Sequence, residues 1–253
     1  MERKIETGAQ LYTVRDFCRT KEDFAETLKK IADIGYETVQ VSGTCEYEAE
    51  WLRDRLAENG LRCVLTHFSG DRIAGHPIET ARFHAVFGCG HIGLGSWKFD
   101  VEKGVGAIRE FSDAFRPAAR IFAENGMRFM YHNHNREFRK IDGVHLLSLL
   151  AEEFFPDEMG FTFDTYWAQF AGADPAYWID QLSGRVPCIH LKDCGYDRTM
   201  EPIGVGNINF DRIFEAAEKA GTRYMLVEQD NCNGMDPFDC LKISYDYLKA
   251  CGF

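Results

Sequence analysis

The sequence lacks the signals that mark membrane, secreted and zinc-ribbon proteins. Its 253 residues hold no apolar run near the ~18 residues of a membrane span, and the N-terminal segment MERKIETGAQLYTVRD has no signal-peptide core. The nine cysteines are scattered and never spaced as CxxC, which indicates reduced thiols rather than a disulfide framework or a zinc ribbon. We therefore expect a soluble, cytoplasmic protein that does not contact membranes.

Positive charge is also scarce. The 29 Lys and Arg residues face 40 Asp and Glu residues, which gives a formal net charge of −11. This balance provides no long-range attraction for a phosphate backbone, so nucleic acid is not an expected partner. The hydrophobic share of 45% and the charged share of 27% are those of an ordinary folded protein. We expect a small-molecule partner.

Strand-to-helix units fill the chain, with no Ser- or Pro-rich linker between them. Helical spacing is clear in Lys21–Ile34, where Phe24, Leu28 and Ile31 recur on one face. The predicted strands span residues 8–13, 38–42, 62–67, 91–94, 128–132, 160–164, 188–192 and 224–228. Eight such units in about 250 residues predict an α/β fold, a single (β/α)8 TIM barrel over residues 1–253. A doubly wound open sheet is the alternative, although the first turn carries no GxGxxG.

Polar side chains collect at the ends of the predicted strands. In a barrel, these ends and the loops that follow them build the active site. Charged residues inside strands that are buried on both sides would be costly, so we expect them to share one site. They are Gln10 and Tyr12, Gln40, His67, Ser96 and Trp97, His132 and His134, Asp164, His190 with Lys192 and Asp193, and Glu228 with Gln229 and Asp230.

Three of these residues form a candidate metal site. Asp164, His190 and Glu228 end three successive predicted strands, and their ligand types suit Mn²⁺, Mg²⁺, Co²⁺ or Zn²⁺. Each residue also has a structural alternative: a helix cap for the aspartate, a core histidine, and an ion-pair partner for the glutamate.

The segment Tyr131–Phe138 is the most unusual local sequence. In a strand, His132 and His134 face the same way. We therefore expect one of them to be a fourth metal ligand and the other to carry a proton. One of them could instead only form hydrogen bonds to a ligand residue. Glu137 either reaches the site from the loop or pairs with a neighbouring cation. Lys192 would hold a substrate oxygen that becomes negative.

A glycine-containing loop, Pro202–Asn207, follows the strand of His190. It lacks the GK[ST] of a P-loop, so the sequence favours a turn over a phosphate cradle. Trp97 and Trp167 are candidates for stacking on a sugar, with a place in the core as the alternative.

Taken together, these motifs resemble the xylose-isomerase-like (β/α)8 superfamily, in its sugar phosphate isomerase/epimerase branch. The resemblance covers nearly the whole chain. It rests on the runs GAQLYTVRD at 8–16, YHNH at 131–134, DTYW at 164–167, HLKD at 190–193 and VEQD at 227–230. It implies a divalent metal held by Asp164, His190 and Glu228. Ketose 3-epimerases of this kind have a metal-binding glutamate where His132 stands. The match to inosose dehydratases is partial, since their DTGH replaces DTYW.

The resemblance implies a sugar, keto-sugar or sugar phosphate isomerase or epimerase that transfers a proton through a metal-stabilised enediolate. A lyase like inosose dehydratase or a 3-keto-glycoside lyase is the main alternative. A non-catalytic sugar-binding barrel and an apurinic endonuclease are less favoured, because several ionisable groups converge and the chain is acidic. Glu228, His132 or His134 would act as acid and base. We expect substrate contacts from Gln10, Tyr12, Gln40, His67, Trp97, Glu137, Trp167 and Arg198.

Short loops leave little chain for a lid over the site. Substrate selection would then come from these loops or from a neighbouring subunit, which predicts a homo-oligomer.

Overall fold

Eight parallel strands close into a barrel in the computed structural model, which describes residues 5–253. Each strand pairs with the next along the chain, and the last pairs with the first. They are β1 Glu6–Gln10, β2 Thr38–Val41, β3 Arg62–Phe68, β4 His91–Leu94, β5 Arg128–His132, β6 Met159–Asp164, β7 Cys188–Leu191 and β8 Tyr224–Val227. The (β/α)8 prediction is confirmed.

Helices surround the barrel and join its strands. They are α1 Lys21–Ile34, α2 Ala49–Glu58, α3 Gly70–Gly75, α4 Pro77–Val86, α5 Gly106–Glu124, α6 Leu146–Glu153, α7 Thr165–Phe170, α8 Pro175–Gln181, α9 Phe210–Ala220 and α10 Pro237–Ala250. Local chemistry sets their ends. At α1, the Thr20 hydroxyl accepts the Asp23 N–H, and Gly35 ends the helix with a φ of 118°.

Two predicted boundaries are wrong. The first strand stops at Gln10, not at residue 13, because the Gln10 side chain accepts the Tyr12 N–H and caps a 3₁₀ helix over Leu11–Phe17. The sequence also predicts a helix over residues 144–154, but the observed helix begins at Leu146 and Val144 lies outside it. This valine lies in a short hairpin in which Val144–His145 pairs with Lys140–Ile141, and its turn residues Asp142 and Gly143 both have positive φ. An Asp-Gly pair is a common two-residue hairpin turn.

Aromatic side chains fill the space between barrel and helices. On α5, Phe111 and Phe115 stack on Phe129 of β5, and all three are fully buried. A separate apolar cluster plugs the lower barrel interior with Val64, Leu65, Met130, Cys188, Tyr224 and Leu226. Burying these side chains stabilises the fold and closes the barrel at that end.

Strand alternation places polar groups above this plug. Residues two apart along a strand face the same side, so His190 lies above Cys188, His132 above Met130 and Glu228 above Leu226. The polar layer therefore occupies the carboxyl end of the barrel. None of the helices within residues 5–253 is long and apolar enough to cross a membrane.

Candidate functional site

Four buried side chains meet at the carboxyl end of the barrel: His132, Asp164, His190 and Glu228. One ligand atom from each lies within 4.8 Å of all the others. His190 Nδ1 lies 3.2 Å from His132 Nε2 and 2.8 Å from Glu228 Oε2. Asp164 Oδ2 lies 3.2 Å from His132 Nε2. The structure therefore brings the predicted ligand residues together.

Two neutral oxygens orient the imidazoles. His132 Nδ1 lies 2.9 Å from the Gly95 carbonyl oxygen, and His190 Nε2 lies 2.6 Å from Gln40 Oε1. Because these oxygens only accept, the facing nitrogens carry the protons. When such a ring is neutral, its other nitrogen directs a lone pair into the cluster.

Four lone-pair atoms thus face one another, an arrangement that fits a cation between them. Glu228 Oε2 is buried, and its two near neighbours, His190 Nδ1 at 2.8 Å and Lys192 Nζ at 2.9 Å, do not meet hydrogen-bond geometry. A divalent ion satisfies such a group, because two imidazoles and two carboxylates are ligands that Mn²⁺, Co²⁺ and Zn²⁺ accept.

Lys192 supplies the positive charge at this centre. Its Nζ lies 3.0 Å from Asp164 Oδ2, 2.9 Å from Glu228 Oε2 and 3.0 Å from Asp230 Oδ2. Burial acts to lower the pKa of Lys192, but the carboxylates of Asp164 and Glu228 outweigh it and raise that pKa well above the ordinary value. The side chain stays an ammonium ion at neutral pH.

The same contacts keep the ligand carboxylates ionised. Burial acts to raise the pKa of Glu228, but Lys192 and His190 together hold it well below its usual range. The pKa of Asp164 is also lowered, by Lys192 and His132 against the effect of burial. Both carboxylates are therefore available to a cation.

His134 faces the same space from the loop after β5. Its ring lies 5.3 Å from the ring of Trp167. Burial, with the nearby His132, lowers the pKa of His134 to about 3, so the ring is neutral. Glu137 braces this loop, because its carboxylate accepts the Tyr131 hydroxyl at 2.7 Å and the His134 N–H at 2.8 Å.

A cavity of about 530 Å³ opens above the cluster. His67 lies at its edge, and its ring lies 5.3 Å from the ring of His132. Its buried Nε2 has no hydrogen-bond partner among the described residues. The lining is Tyr12, Arg15, Ser42, His67, Phe68, Ser69, Gly70, Leu94, Gly95, Ser96, His132, His134, Lys192, Glu228 and Asp230. The volume suits a small polar molecule.

Several other candidate substrate residues lie behind or beside this cavity. Gln10 and Gln40 are fully buried, and the Nε2 of each has no hydrogen-bond partner among residues 5–253. Trp97 packs edge-on against Phe115, and Arg198 is exposed with its guanidinium over Phe170. Glu137, Trp167 and these four residues do not line the cavity, so their role in substrate binding stays a prediction.

Asp193 explains the glycine loop after β7. Its carboxylate accepts the backbone N–H groups of Cys194, Gly204, Gly206 and Ile208. A phosphate cradle needs such N–H groups free, and here a protein carboxylate uses them. The loop is a turn, as the sequence indicated.

Sequence reasoning missed the walls formed by the loops after β1, β2 and β3. Arg15, Ser42, Phe68 and Ser69 all line the cavity. Of these four residues, Ser69 could have been placed from the sequence, because serine is a preferred helix N-cap. Its hydroxyl accepts the Arg72 N–H at the start of α3.

The chain matches the model of the xylose isomerase-like TIM barrel family over residues 28–251. It belongs to that family. This confirms the family named from the motifs, while no curated protein matches the sequence.

Solved structures share the xylose isomerase-like fold at low identity. A sugar phosphate isomerase/epimerase from Parabacteroides distasonis is 20% identical with a TM-score of 0.85, over 99% of this chain and 96% of that one. A probable 3-DHS dehydratase, AsbF, from Bacillus anthracis is 17% identical with a TM-score of 0.75, over 97% and 99%. An L-ribulose 3-epimerase is 15% identical with a TM-score of 0.73, over 97% and 94%. These likenesses establish the fold.

Proposed function

We propose that this protein is a divalent-metal-dependent isomerase or epimerase of a sugar, keto-sugar or sugar phosphate. The main support is that four candidate ligand atoms lie within 4.8 Å of one another beneath a cavity that Lys192 also lines. Structures described as a sugar phosphate isomerase/epimerase and an L-ribulose 3-epimerase share its fold, which supports this class.

His132, Asp164, His190 and Glu228 would hold the metal. Bound there, a divalent ion would polarise a carbonyl and its neighbouring hydroxyl, so that the adjacent C–H becomes acidic. Lys192 would place its ammonium group next to a substrate oxygen that becomes negative. The ammonium stabilises this negative charge strongly because the site is buried.

Glu228 and His134 are the candidates for moving the proton, because both line the cavity. His132 is better suited to hold the metal. One of its nitrogens donates to the Gly95 carbonyl and the other points at Asp164, so neither is free to exchange a proton with a substrate.

Replacement of Glu228 tests this function. Glu228→Gln should lose both bound metal and turnover, while Glu215→Gln, an exposed position on α9, should keep both. Metal content measured by mass spectrometry and a keto-sugar screen followed by product mass provide the readouts. If the Glu228→Gln protein kept its metal and its turnover, the assignment would be wrong.

A metal-dependent lyase of the dehydratase or keto-glycoside type is the second candidate. The ligand cluster has a histidine, His132, where the resemblance gives ketose 3-epimerases a metal-binding glutamate, so the glutamate pair of those enzymes is absent from this ligand set. Removing a proton and expelling an oxygen from the next carbon needs one base and one acid, for which Glu228 and the ammonium group of Lys192 are the candidates. Product mass separates the two, because isomerisation conserves mass and dehydration loses one water.

A further inference from the structure

Arg72 on α3 has an unusual environment beside the catalytic cavity. Its guanidinium carbon lies 3.9 Å from the ring centre of Phe68 and 4.5 Å from that of Phe83. The side chain is half-buried, and this burial lowers its pKa without removing its charge. Two aromatic faces therefore fix the guanidinium plane and remove water from it.

The other half-buried arginines of residues 5–253 all donate to protein oxygens. Arg55 and Arg116 donate to carboxylates, and Arg15, Arg128 and Arg185 donate to backbone carbonyls. Within residues 5–253, the guanidinium of Arg72 donates to no protein acceptor. No carboxylate oxygen of these residues lies within 4.0 Å of its nitrogens. A fixed guanidinium with free N–H groups is a prepared binding site for an anion.

Arg72 lines a second cavity of about 700 Å³ that adjoins the catalytic one. The two cavities share a wall made of Ser42, His67, Phe68 and Ser69. Glu46, an exposed residue, also lines the second cavity, at a distance beyond an ion pair with Arg72. The two cavities are therefore adjacent, and a ligand that extends past this wall would contact both the four-residue cluster and Arg72.

We propose that Arg72 binds an anionic group of the substrate, a phosphate or a carboxylate, while the reacting end lies at the metal centre. This inference rests on the proposed function for the reacting end only. The planar guanidinium fork matches the paired oxygens of either anion. A local cation is required because the protein as a whole, with a net charge of −11, repels anions.

Inorganic phosphate is the first probe, since it needs neither metal nor turnover. We expect phosphate to raise the melting temperature of the wild-type protein above that in sodium chloride of equal ionic strength. Arg72→Gln should lose this rise. Arg82→Gln, an exposed position on α4 outside both cavities, should keep it and controls for the lost charge. No rise in the wild-type protein, or an equal rise in Arg72→Gln, overturns the proposal.

Matched ligands then identify the anion. A ketose phosphate, a keto-sugar acid and a neutral ketose are compared by calorimetric titration. Arg72→Gln should weaken binding of the recognised anion about tenfold or more and change binding of the neutral sugar little. Arg72→Lys, which keeps a charge and part of the contact with the rings, should bind at an intermediate level and shows that the pocket still folds.

The two failures can be told apart. Equal binding of the charged and neutral sugars by Arg72→Gln and wild type would overturn the anion site and leave the metal-dependent function standing. Loss of phosphate binding in Arg72→Gln, with no metal in the wild-type protein, would support the anion site and remove the metal-dependent function.

Discussion

The two halves of the barrel carry different parts of the site. All four ligand residues and Lys192 come from the half that begins with β5. Ten of the fifteen residues lining the catalytic cavity, and every residue lining the second cavity, come from the half that ends with the loop after β4. We call the part of the chain before β5 the recognition half and the part from β5 onward the chemical half, after the roles proposed for them.

Two hydrogen bonds donated by histidines are among the contacts that join the halves. The Gly95 carbonyl accepts from His132, and Gln40 Oε1 accepts from His190. The recognition half thus fixes the ring orientation of ligands that the other half contributes.

The strongest way to break the chemical half is Lys192→Met. Removing the ammonium leaves the buried carboxylates of Asp164 and Glu228 unpaired, so we expect a loss of about 3–5 kcal/mol of stability without metal. Turnover should fall about a thousandfold. Urea unfolding with and without Mn²⁺ should show greater stabilisation by the ion in this variant than in wild type. Lys242→Met, at an exposed pair on α10, is the control, and an unchanged Lys192→Met protein would contradict the role.

A histidine of the recognition half offers a contrast in pH dependence. His84 is buried, and burial lowers its pKa from 6.5 to about 4 against the Thr80 carbonyl that accepts from it. The unfolded chain binds this proton first, so stability should fall as pH drops from 6.5 toward 4, by at most about 3 kcal/mol. Urea unfolding across this range measures it. His84→Gln should show a shallower slope, and an identical slope would exclude His84 as the cause.

Gln40→Leu tests the link between the halves. Without the acceptor on Nε2, His190 is free to change tautomer and rotate, so metal affinity should fall about 10- to 100-fold. Gln40→Glu keeps an acceptor and should bind metal at least as tightly as wild type. Calorimetric titration with Mn²⁺ compares them, and equal affinity in Gln40→Leu would remove the orienting role.

The smallest effect is expected at Arg198, an exposed residue outside the cavity lining. Arg198→Gln should change the free energy of unfolding by no more than about 0.5 kcal/mol. It should change the KM of any substrate by no more than about twofold. A clear rise in KM would extend substrate recognition into the chemical half and weaken the division.

The chemical half was readable from sequence because strand alternation has a fixed period. Cys188, His190 and Lys192 point to the same side of the chain at β7. Cys188 lies in the apolar cluster, His190 in the candidate ligand set above it, and Lys192 one level higher. Consecutive parallel strands then predict that Asp164, His190 and Glu228 are close.

The recognition half was not readable in the same way. Arg72, Phe68 and Phe83 come from a helix, a strand end and a further helix, and no spacing rule connects them. The Gly95 carbonyl is a backbone group with no side-chain signature. The hairpin before α6 is different, because the Asp142-Gly143 pair is a readable hairpin signal that the prediction of a helix start at Val144 missed.

The pairing of β8 with β1 ties the site to the completion of folding. Until Tyr224–Val227 docks, β1 and β7 both expose unpaired edges, and Glu228 is not yet beside its partners. A nascent chain therefore cannot assemble the full ligand set before its last strand has been synthesised and inserted. Metal capture would therefore come late in folding and would join the last-made strand to β5, β6 and β7.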